Sequence, residues 1–124
     1  MIVQVSEPVE FEGAARLVVP FQQPTRPASL IAVAFMLESA ALTIVRVTDN
    51  TAGPRAWRLG NDTPAGNGRR VAWVRAGGPP GVTEVTGEAA NGKPVCGTAL
   101  AVEAQVRGPG DALQLLADLL TGAP

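Results

Sequence analysis

Carboxylates have the widest chemical reach in this chain, because the sequence contains no histidine. Without imidazole, the common acid–base, triad and zinc arrangements lose their most frequent member. Glu7, Glu10 and Glu12 lie close together in sequence, and Asp49 and Asp62 sit in turn-rich stretches that can meet at one end of a sandwich. Loop oxygens of this kind suit calcium, but the spacing fits no calcium-binding loop, and solvated loop carboxylates are the simpler reading. The single cysteine, Cys96, has no partner for an internal disulfide and no histidine to activate it. It reads as a small buried hydrophobe rather than a nucleophile.

Two other patterns touch on ligand chemistry. Arg55, Arg58, Arg69, Arg70 and Arg75 are interleaved with Trp57 and Trp73, an arrangement able to stack bases or sugars. The competing reading, which we favour, places both tryptophans in the core and the arginines along edge strands, where charge discourages sheet-to-sheet pairing. The glycine-rich stretches Gly53-Pro54 and Gly77-Gly78-Pro79-Pro80-Gly81 do not run from a strand into a helix followed by Lys-Ser or Lys-Thr, so they are turns and not phosphate cradles. No catalytic residue, metal ligand or cofactor site is assigned, and the expectation is a protein that is not an enzyme and needs no cofactor.

The elements that would carry these residues read as strands. Residues 30–37 form a continuous apolar run, and residues 42–48 are rich in β-branched side chains, which fit a pleated surface better than a helix. The short link at 38–41 suits an antiparallel turn between them. Further strands are expected at 2–5, at 9–12 with Val9 and Phe11 inward, at 15–19, at 55–59, at 82–87 and at 97–106. Along 69–75, Val71 and Trp73 are expected inward, with Arg75 at the rim of the sheet. Residues 60–68 read as a polar loop, and Asn91-Gly92 as a tight turn. The fold class is therefore all-β, an antiparallel β-sandwich of jelly-roll or Ig-like type with a short C-terminal helix.

That helix is expected over residues 111–120, where the apolar period changes, Asp111 can cap the start and Gly122 suits the end. The whole of 1–124 reads as a single domain, with an N-terminal arm at 1–29 punctuated by Pro8, Pro20, Pro24 and Pro27. The arm and the helix are the candidate attachment points to a protein partner, through Phe21, Leu113, Leu116 and Leu120. Phe21 can pin the arm either to the domain itself or to another subunit. The helix can likewise dock on the sandwich or enter a partner's groove.

Lys and Arg number 10 against 11 Asp and Glu, so no net field draws the chain to nucleic acid or to an anionic membrane. The longest apolar run is far short of the roughly 20 residues that span a bilayer as a helix. The start Met1-Ile2-Val3-Gln4 lacks the basic region and sustained apolar run of a secretory leader, so assembly in the cytoplasm is expected.

Several segments in order carry a resemblance. These are Val47-Thr48-Asp49-Asn50 followed by Trp57, Val71-Ala72-Trp73 followed by Ala76, Gly81-Val82-Thr83-Glu84-Val85-Thr86, and Leu100-Ala101-Val102-Glu103. Together they resemble a β-sandwich module of phage virion proteins, of the head-decoration or head-fibre type, and of bacterial surface proteins. In that module a V-x-D-x-x-G-N turn, a W-x-A strand and a G-x-x-x-V-T-V-T strand succeed one another. The resemblance covers residues 30–104, and the aromatic residue expected soon after the final glutamate is absent. It implies a structural or adhesive role without enzymatic activity. With no export signal read, the phage setting is favoured: a capsid decoration, cement or head-fibre subunit located in the virion, forming homo-oligomers and contacting capsid or other virion proteins. A carbohydrate-binding or adhesive module is the alternative.

Overall fold

The computed structural model describes residues 2–76 and 78–105. The expected helix at 111–120, with Leu113, Leu116 and Leu120, lies outside the described residues. Nine strands are described: β1 (Ile2–Val5), β2 (Val9–Ala14), β3 (Arg16–Pro20), β4 (Leu30–Leu37), β5 (Ile44–Asp49), β6 (Arg58–Ala65), β7 (Gly68–Ala76), β8 (Glu84–Ala89) and β9 (Val95–Ala104). They form two antiparallel sheets, a six-stranded one in the order β1-β9-β4-β7-β6, with β2 also paired to β9, and a three-stranded one in the order β3-β8-β5. The fold is all-β and sandwich-like. One apolar cluster fills the space between the sheets, with Leu17, Val19 and Val85 from the small sheet against Val33, Phe35 and Val71 from the large one.

The apolar run at residues 30–37 becomes the central strand of the large sheet, flanked by β9 and β7. Ile31, Val33, Phe35 and Leu37 point into the inter-sheet core, and Leu30, Ala32 and Ala34 are buried on the opposite face. A strand buried on both faces needs no alternation, which is why its sequence shows none. Tight packing between the sheets is visible at Gly87, where an added Cβ would lie 2.5 Å from Cζ of Phe35. Only glycine lets β8 approach that ring.

The chain changes sheet repeatedly, and this accounts for several departures from the sequence reading. β4 and β5 do not pair: the link at 38–43 carries the chain from the large sheet to the small one. The Asn91-Gly92 turn likewise joins β8 to β9 across the sandwich, with both residues at positive φ (57° and 65°). β2 passes to β3 with only Ala15 between them, turning through Gly13 at φ 73°. The stretch 1–29, expected as an arm, is thus largely strand: β1 and β2 on the edge of the large sheet, β3 on the edge of the small one. Its break at Pro8 matches the gap between β1 and β2, where Ser6 stands in for the ladder. The Ser6 amide donates to the Ala101 carbonyl at 2.8 Å, and its Oγ accepts from the Ala101 amide at 2.8 Å.

Other expectations are corrected. Residues 60–68 are not a loop: Arg58–Ala65 and Gly68–Ala76 form a hairpin closed at Gly66-Asn67, and an exposed edge strand can be polar along its whole length. Residues 55–59 do not form one strand, because Pro54–Ala56 is a 3₁₀ turn and β6 begins after Trp57. Residues 82–83 precede β8, although Val82 is fully buried. Along 42–48 simple alternation fails, because an irregularity at Val45 lets both Ile44 and Val47 face inward. Cys96 is exposed. It alternates with buried Val95 and Gly97 on β9, so strand parity, not its small size, sets its environment. Val9 and Phe11 pack on the core as expected, with Glu10 and Glu12 exposed between them.

Candidate functional site

Arg75 was expected at a sheet rim, but its side chain is only 2 % exposed and lies on the inner face, where it meets a fully buried Asp49. Its Nη1 donates to Asp49 Oδ2 at 2.9 Å and to Thr51 Oγ1 at 3.1 Å, and Nη2 donates to the Pro79 carbonyl. Asp49 folds its own turn around its other oxygen: Oδ1 accepts from the Thr51 amide at 2.7 Å, the Thr51 hydroxyl at 2.6 Å and the Ala52 amide at 2.9 Å. The indole N–H of Trp57 completes the set by donating to Oδ2 at 2.9 Å. Burial pushes the Asp49 carboxyl up, but the hydrogen bonds from Thr51, Trp57 and Arg75 outweigh it and hold the group below its ordinary value. Gly78, at φ 88°, lies against this guanidinium, where a Cβ would come within 2.7 Å of Nη2. The cluster is a clamp that fastens the loops at 49–57 and 78–81 to the end of β7.

A second buried carboxylate does the same for the opposite loop. Glu103 is fully buried and accepts from Gln4 Nε2 at 2.8 Å, the Arg26 amide at 2.7 Å and the Ser29 hydroxyl at 2.5 Å. Three donors satisfy its oxygens without solvent, and the proline-punctuated segment at 21–29 is thereby held to β9 and β1. Sequence patterning gave no hint of this, because Glu103 sits in an apolar strand as an apparent interruption.

The predicted site residues disperse. Asp62 accepts from Thr43 Oγ1 at 2.8 Å and pairs with Arg69 at 2.5 Å, so it and Asp49 are engaged by separate protein donors. Among the described residues no group of three or more His, Cys, Asp or Glu side chains is placed to hold a metal ion. Phe21 is buried in the inter-sheet core, 7 % exposed, so of its two expected settings it takes the domain itself. Trp57 and Trp73 both belong to the core or pack against it, and Trp73 donates its indole N–H to the Ile44 carbonyl at 3.2 Å. The arginines share no stacking surface either: Arg69 and Arg75 turn inward on β7 while Arg70, paired with Met36, lies on the outer face.

Exposed large apolar side chains among the described residues are divided between Val18 and Val45 on the three-stranded sheet, Leu59 on β6, and Ile2, Val5 and Met36 on the outer face of the six-stranded sheet. Its rows run across β1, β9, β4 and β7: Ile2-Ala104-Leu30-Ala76, then Val5-Val102-Ala32-Val74, then Leu100-Ala34-Ala72, then Thr98-Met36-Arg70. The centre is buried, whereas Ile2, Val5 and Met36 at its rim are 44 %, 43 % and 43 % exposed. Beside Met36, a concavity of about 360 Å³ is lined by Glu10, Phe11, Glu12, Leu37, Glu38 and Thr98. It combines one exposed thioether and one ring edge with three carboxylates, which suits a polar-rimmed protein contact. The sequence signal for this surface was the unbroken apolar run of β4, whose second buried face the small sheet cannot supply.

No family model matches the chain, and neither the curated proteins nor the solved structures include a match.

Proposed function

We propose that this protein is a non-enzymatic structural subunit of a phage particle, of the capsid-decoration, cement or head-fibre kind, that works by docking to other protein subunits and to copies of itself. The observation that carries this reading is the rim of exposed apolar side chains, Ile2, Val5 and Met36, around the outer face of the large sheet. Large apolar side chains grouped on one face mark a contact surface. The setting in a virion rests on the sequence resemblance over residues 30–104.

The sheet edges support contact through a face. β3 ends at Pro20, β6 carries Pro64 and an irregular register near Gly60, β5 is irregular at Val45, and the β1–β2 edge is interrupted at Pro8. Proline and bulges at edge strands block pairing with another chain. Docking subunits need area and shape rather than reactive groups.

Gel filtration of the full chain, followed by co-sedimentation with capsid shells of the phage whose genome encodes it, tests the reading. Binding to shells is expected. A monodisperse monomer with no affinity for shells contradicts it. The carbohydrate-binding alternative requires an accessible tryptophan, and tryptophan fluorescence that is blue-shifted and unmoved by glycans eliminates it.

A further inference from the structure

The first three strands form a unit with few strand partners. β1 and β2 pair with β9, β3 pairs with β8, and among the described residues none of the three pairs with β4, β5, β6 or β7. β1 and β2 occupy one edge of the large sheet and β3 one edge of the small sheet. Their inward side chains nonetheless belong to the core: Leu17 and Val19 are fully buried, and Val9 and Phe11 pack against the same cluster. Residues 2–20 therefore seal one side of the sandwich by lying along the last two strands of the fold.

One connection, residues 21–29, ties this unit to the central strand β4. Nine residues can extend to about 30 Å, whereas packed sheets lie only about 10 Å apart, so the connection carries slack. Its one buried apolar side chain is Phe21, at its start; beyond that only Thr25 and Ser29 are buried. Hydrogen bonds hold these two, the Thr25 amide donating to the Val82 carbonyl at 3.1 Å and the Ser29 hydroxyl to Glu103 at 2.5 Å. Pro24 and Pro27 favour extended chain at the residues before them. The path back to β4 is completed by a turn at Pro27-Ala28, in which Ala28 has φ 59°. A turn normally places glycine in that left-handed region, and the Cβ of alanine works against it.

We infer that residues 2–20 are an exchangeable unit: the connection at 21–29 opens, and in a pair of copies β1, β2 and β3 of each chain lie on β8 and β9 of the other. The occupant is a second copy because the surface vacated is shaped for this unit and no other. Every ladder and core contact of the unit is the same within one chain as between two, so only the connection distinguishes the two states. The bonds of Thr25 and Ser29 favour the single chain, and the strained turn at Ala28 favours exchange. Exchange is slow, because three strands must first leave their ladders. A chain kept folded stays a monomer by this route, whereas refolding at high concentration lets the units cross. The inference goes beyond the proposed function, does not use the rim of the large sheet, and stands without either.

Refolding the full chain from urea at high protein concentration, followed by dilution and gel filtration, tests it. A dimer peak that persists on dilution is expected. Ala28 is exposed, so its variants keep the core: Ala28→Gly relaxes the turn and should lower the dimer-to-monomer ratio severalfold, and Ala28→Val, disfavoured at positive φ, should raise it severalfold. Arg16 and Glu88 are partners across β3 and β8, so Arg16→Cys with Glu88→Cys, carrying Cys96→Ser, reports which chain supplies β3. Glu10→Cys with Thr98→Cys in the same background does so for β2 and β9. After oxidation, the dimer peak should run as a covalent dimer on a denaturing gel without reductant, and the monomer peak as a monomer. A dimer peak whose chains separate on that gel would overturn the proposal, as would the absence of a dimer peak in the unaltered chain and in Ala28→Val alike, or equal ratios in Ala28→Gly and Ala28→Val. An exchanged dimer that binds no capsid shell would sink the proposed function and leave this inference standing; shell binding by a chain that never exchanges would do the reverse.

Discussion

The two outer faces of the sandwich are built to opposite rules. On the three-stranded sheet the outward positions carry Arg16, Val18, Pro20, Arg46, Thr48, Glu84, Thr86 and Glu88, of which Thr86 at the centre is buried, with Arg46 and Glu88 in an exposed pair at 3.5 Å. This is the polar half of an ordinary alternating strand, and it faces water. On the six-stranded sheet the outward positions at the centre are buried alanine, valine and leucine, and the rim carries exposed Ile2, Val5 and Met36 together with Thr98 and Arg70. One sheet has a single buried face and the other has two. The difference teaches that the small sheet serves to close the core, whereas the large sheet has a second apolar face that must find cover.

The sharpest way to break this comparison is to place the same charge on each face. Ala72→Asp puts a carboxylate at a fully buried position and should lower stability by about 3–5 kcal/mol, the cost of an uncompensated buried charge. Val18→Asp, at a position 38 % exposed on the small sheet, should change stability by only about 0.5 kcal/mol, as surface substitutions do. Urea denaturation midpoints decide it, and equal losses at the two sites would erase the distinction between the faces.

The ion pairs sharpen the same contrast, since one lies between the sheets and the other outside them. Asp49→Asn leaves the Arg75 guanidinium buried without its countercharge and should cost about 3 kcal/mol or more in urea unfolding. Glu88→Gln removes half of a pair whose side chains are 53 % and 42 % exposed, and should cost about 1 kcal/mol at most. A loss at Glu88 as large as that at Asp49 would show the small sheet's outer face to be structurally loaded.

Acid should act through the interior as well. The folded-state pKa of Asp49 lies below its ordinary value of 3.8. The stabilisation it contributes is therefore complete above that value and is lost as pH falls through the lower folded pKa. Stability measured between pH 5 and pH 2 should decline less steeply in Asp49→Asn than in the unaltered chain. Identical slopes would mean that other carboxylates carry the acid response.

The strands that pack on both faces were the most legible part of the sequence. The run at 30–37 could not have served a half-exposed strand, and the alternation of Val71 and Trp73 gave their side correctly. Less legible were features that depend on which strands become neighbours. Residues 60–68 lack apolar periodicity because β6 is an exposed edge, so its pairing with β7 left no pattern to read. Arg75 looked like a rim residue because nothing local announces that Asp49 will meet it across the sandwich. Cys96 and Val45 show the limits of composition and of simple parity: the first is small yet outward, and the second marks an irregularity that turns Ile44 and Val47 to the same side.

The central claim is that the apolar rim of the large sheet is an attachment surface. Sedimentation velocity of the full chain across a concentration series, beside the variant Met36→Arg, tests it most directly. Met36 is 43 % exposed, so the substitution should leave the fold intact. The account predicts that the unaltered chain associates as concentration rises and that Met36→Arg sediments as a monomer throughout. Association that is undiminished in Met36→Arg and in Val5→Arg would contradict it.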